Sequence, residues 1–336
     1  DSALYADRSL VKQLAMRRTL FVFPRDLLPA AWGSVSARVA DTLATRLAKE
    51  VERAGLADDG VAWLEKARDG VLTALADGSA MTAQELRERV PALEGRLDLA
   101  PGKKYAANVP IAPRVLTQLG VEGLLVRGDN TSHWRLSKPR WARMEDWLGE
   151  VPPAAKADEG YAELVRRWLG SFGPGTEDDI VWWLGATKGA VRGALASLGA
   201  VEVSLDGGGT GWVLPDDLDD ADAAEPVEPW AALLPVLDPT VMGWKEREFY
   251  LGPHGPQLFD RNGNAGTTAW WDGRVVGCWV QDDDGVVEVR LLEKLPAAAK
   301  RALAAEAERL TAWLDGVRIG TVYPSAAMKV VDWVHA

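Results

Sequence analysis

Residues 161–214 read YAELVRRWLGSFGPGTEDDIVWWLGATKGAVRGALASLGAVEVSLDGGGTGWVL, and the fold turns on how this run divides. Apolar side chains at Tyr161, Leu164, Val165, Trp168 and Leu169 follow the spacing of one helix face. After Gly173-Pro174-Gly175, Thr176 with Asp179 three residues later makes a capping box, and Ile180, Trp183 and Leu184 then point inward from a short second helix. Gly185-Ala186 turns the chain and Thr187 caps again. Val191, Leu195 and Leu198 then form a buried stripe that leaves Lys188 and Arg192 on the opposite side of a third helix, which ends at Gly199. Residues 201–205 and 211–214 alternate around the Gly207-Gly208-Gly209 tip as a β-hairpin. Helix, helix-turn-helix and hairpin in that order are the layout of a winged helix.

The theme recurs upstream. Residues 61–76 put Leu64, Ala67, Val71, Leu72 and Leu75 on one face, and Thr82 with Glu85 is a second capping box before Leu86 and Val90. A third helix spans 112–119. Residues 124–127 and 133–136 alternate around the turn 128–132, which predicts a wing with Arg127, His133 and Arg135 facing solvent. Nearer the start, Leu4, Leu10 and Leu14 with basic residues between them read as a helical pattern already under way at Asp1, so an upstream segment is expected. Downstream of Trp230 the character changes: residues 275–280 and 286–292 are strand-like, Asn262-Gly263 and Asp272-Gly273 are hairpin turns, and a helix covers 297–314. Pro152-Pro153 marks one linker and a proline-bearing acidic run marks another. The expected division is therefore 1–152 with N-terminal helices and a first winged helix, 156–215 a second winged helix, 216–229 an acidic linker, and 230–336 an α+β domain. The fold class is α+β and helix-rich: tandem winged helix-turn-helix modules plus a C-terminal antiparallel β-sheet domain.

The 336 residues carry a net charge of −11, unevenly distributed. Residues 216–228 hold seven acidic side chains and no basic one, whereas residues 103–147 hold eight basic against four acidic. Charge placement matters more than its sum for nucleic-acid binding. The residues expected to meet duplex DNA are Lys103, Lys104, Arg114, Arg127, Asn130, His133, Arg135, Lys138 and Arg140 around the first wing. Lys188 and Arg192 join them from the third helix of the second module, and Arg261, Asn262 and Asn264 from a glycine-rich tip. Winged helices also serve as protein–protein modules, and Asn262-Gly263 can make a turn with no further role. Of the 16 tryptophans, Trp182, Trp183, Trp212 and Trp279 read as buried; in Trp270-Trp271, one neighbour must leave the sheet's inner face.

Reaction chemistry is harder to read. One cysteine, Cys278, excludes a disulfide framework or thiolate cluster, and His133, His254 and His335 lack metal-ligand spacing, so neither metal nor cofactor is expected. No G-x-S-x-G, P-loop or dinucleotide fingerprint occurs. Lys103-Lys104 could supply a Schiff-base amine, although a solvated pair is the simpler reading. No apolar run reaches bilayer length, and the expectation is a cytoplasmic monomer whose partner is double-stranded DNA.

Residues 5–26, YADRSLVKQLAMRRTLFVFPRD, resemble the "dR-x-LV…mRgTlhlv…D" stretch of the AlkZ-like winged-helix family. Residues 233–247, with LLPVLDP and MGWKER, and 271–279, WDGRVVGCW, are similar to its later segments. The matching positions include Arg17, Arg18, Thr19, Asp26, Asp238, Arg247, Gly273, Arg274 and Gly277. The resemblance implies tandem winged helices around a DNA channel, a hairpin that probes the duplex, and the activity of bacterial DNA glycosylases that excise bulky alkylated or crosslinked bases. The family's catalytic Q-x-Q or Q-x-D lies upstream of the matched stretch, and Gln13, Gln84, Gln118, Gln257 and Gln281 form no such pair. Phe21 stands where the family pattern has histidine, as in a divergent actinobacterial branch. The catalytic residues are therefore unknown. Two functions stand side by side: a DNA repair glycosylase, and a non-catalytic DNA-binding protein such as a lesion sensor or transcription regulator.

Overall fold

The computed structural model describes residues 1–99, 102, 106–133, 136–220, 227–321 and 323–329. Lys103, Lys104, Arg135 and His335 lie outside the described residues. The chain packs as two compact units, one of residues 1–168 with 184–199 and the other of residues 169–183 with 200–336. Both mix helices with antiparallel sheet.

The first unit opens with strands β1 (Leu10–Leu14) and β2 (Leu20–Pro24), paired antiparallel from Leu10↔Pro24 to Leu14↔Leu20. Here the helical expectation fails beyond Ser2–Ala6. Burial in β1 alternates, with Val11 and Gln13 inside, so the period is two and the leucines at 10 and 14 were the wrong residues to follow. A long helix α1 (Ala37–Arg53) follows, then α2 (Gly60–Ala74), α3 (Ala83–Arg89), β3 (Arg96–Leu99), β4 (Ala107–Pro110) and α4 (Ala112–Val121). Polar caps fix where these helices start. Asp59 accepts the N–H groups of Val61 and Ala62, and Thr82 with Glu85 closes the expected reciprocal box. Their inner faces meet in one core that includes Val51, Leu64, Val71, Leu86, Leu116 and Trp141.

The hairpin expected after α4 forms with a different second strand. Strand β5 (Leu125–Asn130) pairs with β6 (Pro139–Arg143), not with residues 133–136. In this pairing Trp141 and Ala142, on opposite faces of the strand, are both buried, whereas Leu136 is 44% exposed. Residues 151–156 run against the segment Leu28–Ser36, where the Ala155 N–H donates to the Pro29 carbonyl. Helices α5 (Ala157–Phe172), α6 (Glu177–Leu184) and α7 (Lys188–Ser197) appear where the apolar spacing places them, and Thr187 caps α7 through the Ala190 N–H. Trp182 and Trp183 are half-buried rather than core residues, as is Trp212.

In the second unit, β7 (Val201–Ser204) and β8 (Thr210–Val213) form the expected hairpin. Strands β9 (Ala231–Leu234), β10 (Thr268–Trp271), β11 (Arg274–Gln281) and β12 (Val287–Leu291) make a sheet ordered β12-β11-β10-β9, antiparallel throughout. Both faces are covered. Trp270 packs with Tyr250 and Cys278 on one side, while Trp271 lies with Leu303 and Trp279 on the other, against helix α8 (Ala297–Leu314). Neither tryptophan of the pair therefore leaves the protein interior for solvent, because the sheet has two inner faces. A β-bulge explains why Val276 and Cys278, two residues apart, face opposite sides: Ala269 pairs with Gly277 and Trp270 with Val275, leaving Val276 extra. Asp272 and Gly273, both at positive φ, make the tight turn before β11. Gly277 has no room for a side chain, since a Cβ there would sit 2.1 Å from the Arg290 carbonyl oxygen.

Candidate nucleic-acid interface

The loop of the β5–β6 hairpin is held by Asn130. Its amide Nδ2 donates to the carbonyls of His133 (3.1 Å) and Leu136, while its Oδ1 accepts the Lys138 N–H at 2.8 Å. Asn130 thus closes the loop, with both amide hydrogens committed to it. Lys138 is exposed, and among the described residues its ammonium has no ion pair. His133 is exposed as well. Arg140 donates from Nε to the Ala80 carbonyl at 3.0 Å and lies 3.5 Å from Glu85, and Arg114 is paired to Glu50 at 2.6 Å. Arg127 does not face solvent as expected. Its guanidinium stacks 4.8 Å above the Trp141 ring, and burial pushes its pKa below the usual arginine value. The strand alternation that carries Trp141 inward also draws Arg127, its cross-strand partner, over the ring.

Lys188 and Arg192 are exposed on α7, as the apolar stripe requires. The Arg17–Arg18 turn that links β1 to β2 belongs to the same unit. Both arginines take left-handed backbone, with φ of 54° and 58°, and Thr19 follows them, exposed. Asp26 is exposed, 3.5 Å from Arg167.

In the second unit, Asp179 does more than cap α6. It is 2% exposed; Oδ2 accepts from the Thr176 N–H (3.0 Å) and hydroxyl (2.7 Å), while Oδ1 accepts the N–H groups of Lys245 and Glu246, each at 2.8 Å. This ties the MGWKER segment to the start of α6. Two positions on, Arg247 rests its guanidinium on Trp182 (5.0 Å) and Phe259 (4.6 Å), and burial lowers its pKa. Sequence reasoning gave Arg247 no such seat, because its aromatic partners lie far away along the chain. Asp238 accepts the Thr240 N–H in a local turn. Arg274 is exposed.

The glycine-rich tip is closed by Asp260. Its Oδ1 accepts the N–H groups of Asn262 (2.8 Å) and Asn264 (2.9 Å), and its Oδ2 accepts Asn264 Nδ2 at 2.9 Å. These bonds, those of Asn264 foremost, hold the Asp260 carboxyl below the usual carboxylate range. Asn264 therefore serves the loop, and Arg261 and Asn262 are the exposed side chains of the tip. Gly263, at φ +81°, makes the turn, but Gly266 is buried: a Cβ there would lie 2.6 Å from Ser325 Oγ.

Four of the five glutamines have protein partners. Buried Gln13 donates to the carbonyls of Leu14, Gly120 and Val121; Gln118 donates to the Ala40 carbonyl and to Glu122; Gln281 bridges Gly285, Val317 and Ile319; Gln84 reaches Glu88. Among the described residues, no three His, Cys, Asp or Glu side chains gather as a metal site. No described helix is long and apolar enough to cross a membrane.

The interstrand DNA cross-link repair glycosylase of Streptomyces sahachiroi is 27% identical over 320 residues, spanning 90% of this chain and 80% of that protein. The solved structure of Streptomyces sahachiroi DNA glycosylase AlkZ shares the fold with a TM-score of 0.67 at 22% identity, covering 91% of this chain and 80% of that one. The family described as DNA glycosylase AlkZ-like matches residues 1–313. With that pattern running through both units, the chain belongs to the AlkZ-like DNA glycosylase family.

Proposed function

We propose that this protein binds double-stranded DNA in DNA repair, in the manner of the bacterial glycosylases that remove bulky alkylated or crosslinked bases. The family match across residues 1–313 carries the proposal. The reading takes α2, α3 and α4 with β5–β6 as one winged helix and α5, α6 and α7 with β7–β8 as a second, on the order of capped helices and hairpins. It keeps the division into 1–152, 156–215, the acidic linker 216–229 and 230–336, and a cytoplasmic monomer. Lys138, Lys188 and Arg192 in the first unit, and separately the 261–264 tip in the second, are the proposed DNA contacts, since cations neutralise phosphates while amides can reach base edges. Lys103, Lys104 and Arg135 join them by charge alone. Arg114, Arg127, Asn130, Arg140 and Asn264 support these contacts from within.

A non-catalytic reading is favoured by one observation: Gln13 and Gln118, both buried, are committed to backbone carbonyls. One experiment addresses both. A labelled duplex carrying alkylated bases is titrated with the protein at rising salt, then treated with alkali. Affinity is expected to fall with salt at a slope of about −0.9 per phosphate contact. Retention indifferent to salt refutes DNA binding. This chain is expected to leave no alkali-labile sites; protein-dependent strand breaks would establish excision instead.

A further inference from the structure

Among the described residues, six that are not glycine take positive φ: Arg8, Arg17, Arg18, Leu237, Asp272 and Asp315. Only Arg17 and Arg18 are consecutive. An L side chain is disfavoured in this region, and hairpin turns of this kind ordinarily use Asn-Gly or Asp-Gly, as Asp272-Gly273 does. The backbone bonds of the turn are complete: Arg18 N–H donates to the Ala15 carbonyl (3.1 Å), Thr19 N–H to that of Met16 (3.0 Å), and Ala15 N–H to that of Thr19 (3.0 Å). None of them needs an arginine side chain. Arg18 is exposed, and among the described residues its guanidinium meets no hydrogen-bond acceptor or carboxylate. A cationic side chain is thus kept at a position where glycine would relax the backbone.

The setting of the turn supplies its direction. Gly185, itself at φ +62°, packs against it: a Cβ at Gly185 would lie 3.5 Å from Arg17 N and 3.6 Å from Arg17 Cγ. Gly185 stands two residues before Thr187, the cap of α7, whose outer face carries exposed Lys188 and Arg192. The first hairpin and the α6–α7 corner, some 170 residues apart in sequence, therefore pack together, which brings the Arg17–Arg18 turn close to the start of α7. Guanidinium matches phosphate by a planar fork of donors, and one without a protein carboxylate keeps those donors available.

We infer that the Arg17–Arg18 turn is a second DNA-backbone contact of this unit, with the Arg18 guanidinium gripping a phosphate beside the α7 face. The inference rests on the DNA-binding reading above. A phosphate grip carries no base information, so its loss weakens binding equally on unrelated duplexes.

Three variants test it in salt titrations on two duplexes of unrelated sequence, with thermal melting alongside. Arg18→Gly relieves the backbone and removes the cation; it is expected to melt no lower than the parent, yet to flatten the plot of log affinity against log salt by about 0.9. Arg18→Gln keeps the backbone conformation and removes only the charge, with the same expected flattening. Arg18→Lys is expected to keep the parent slope. If the parent binds with a salt dependence that Arg18→Gly and Arg18→Gln leave unchanged, this inference is overturned while the DNA reading stands. A parent with no salt-dependent binding sinks both. Flattening on one duplex alone makes Arg18 a base reader and also overturns the grip.

Discussion

At the scale of the residue, Asp179 shows how one side chain takes on roles that spacing alone does not reveal. Thr176 three residues earlier announces a capping box, and the box forms. The same carboxylate also receives two backbone N–H groups from residues 245 and 246, which no local pattern announces. Asp179→Ala would leave those donors buried without partners, and each orphaned buried group costs roughly 1–3 kcal/mol. The variant is expected to lose about 3 kcal/mol or more in urea unfolding. Asp179→Asn, which keeps the oxygen facing residues 245 and 246, is expected to lose less. Equal stability of Asp179→Ala and the parent would show that the 243–247 segment is held otherwise.

At the scale of the element, the β5–β6 hairpin separates residues that look alike in sequence. Arg127 and Lys138 are both basic and both flank the hairpin, yet Arg127 lies over Trp141 and Lys138 stands in solvent. Arg127→Glu is expected to destabilise the fold by about 2 kcal/mol or more, since it replaces a cation on an aromatic face with a partly buried carboxylate. Lys138→Glu is expected to leave melting unchanged and to weaken duplex binding severalfold, its charge lying within the range of the phosphates. Chemical denaturation and a binding titration on each variant decide this. A Lys138→Glu protein that binds as well as the parent would move the DNA contact off this hairpin. The difference was not legible beforehand because the partner strand was expected at 133–136; with β6 at Pro139–Arg143, Trp141 becomes the cross-strand neighbour of Arg127.

At the scale of the whole molecule, a net charge of −11 is compatible with the proposed DNA contacts because the acidic run is separated along the sequence from the basic one. On the proposed reading, the seven carboxylates in residues 216–228 would repel an approaching polyanion. Replacing Asp216, Asp217, Asp219 and Asp220 with Asn is expected to raise the association rate with duplex severalfold at low salt and to change it little at high salt, where screening shortens the field. A rate unaffected at both salts would mean that the run lies too far from the DNA path to matter. The helices, their caps and the hairpin between residues 201 and 213 were determined by the sequence itself, because apolar periodicity and capping chemistry act within a few residues. So was the family, through the motifs at both ends. Tertiary structure alone decided the strand at residues 10–14, the partner of β5, the two covered faces of the sheet, the second role of Asp179 and the packing of Arg17 against Gly185. Each depends on which distant surface completes a hydrogen-bond ladder or covers an apolar face, and such pairings are settled by packing, not by local order.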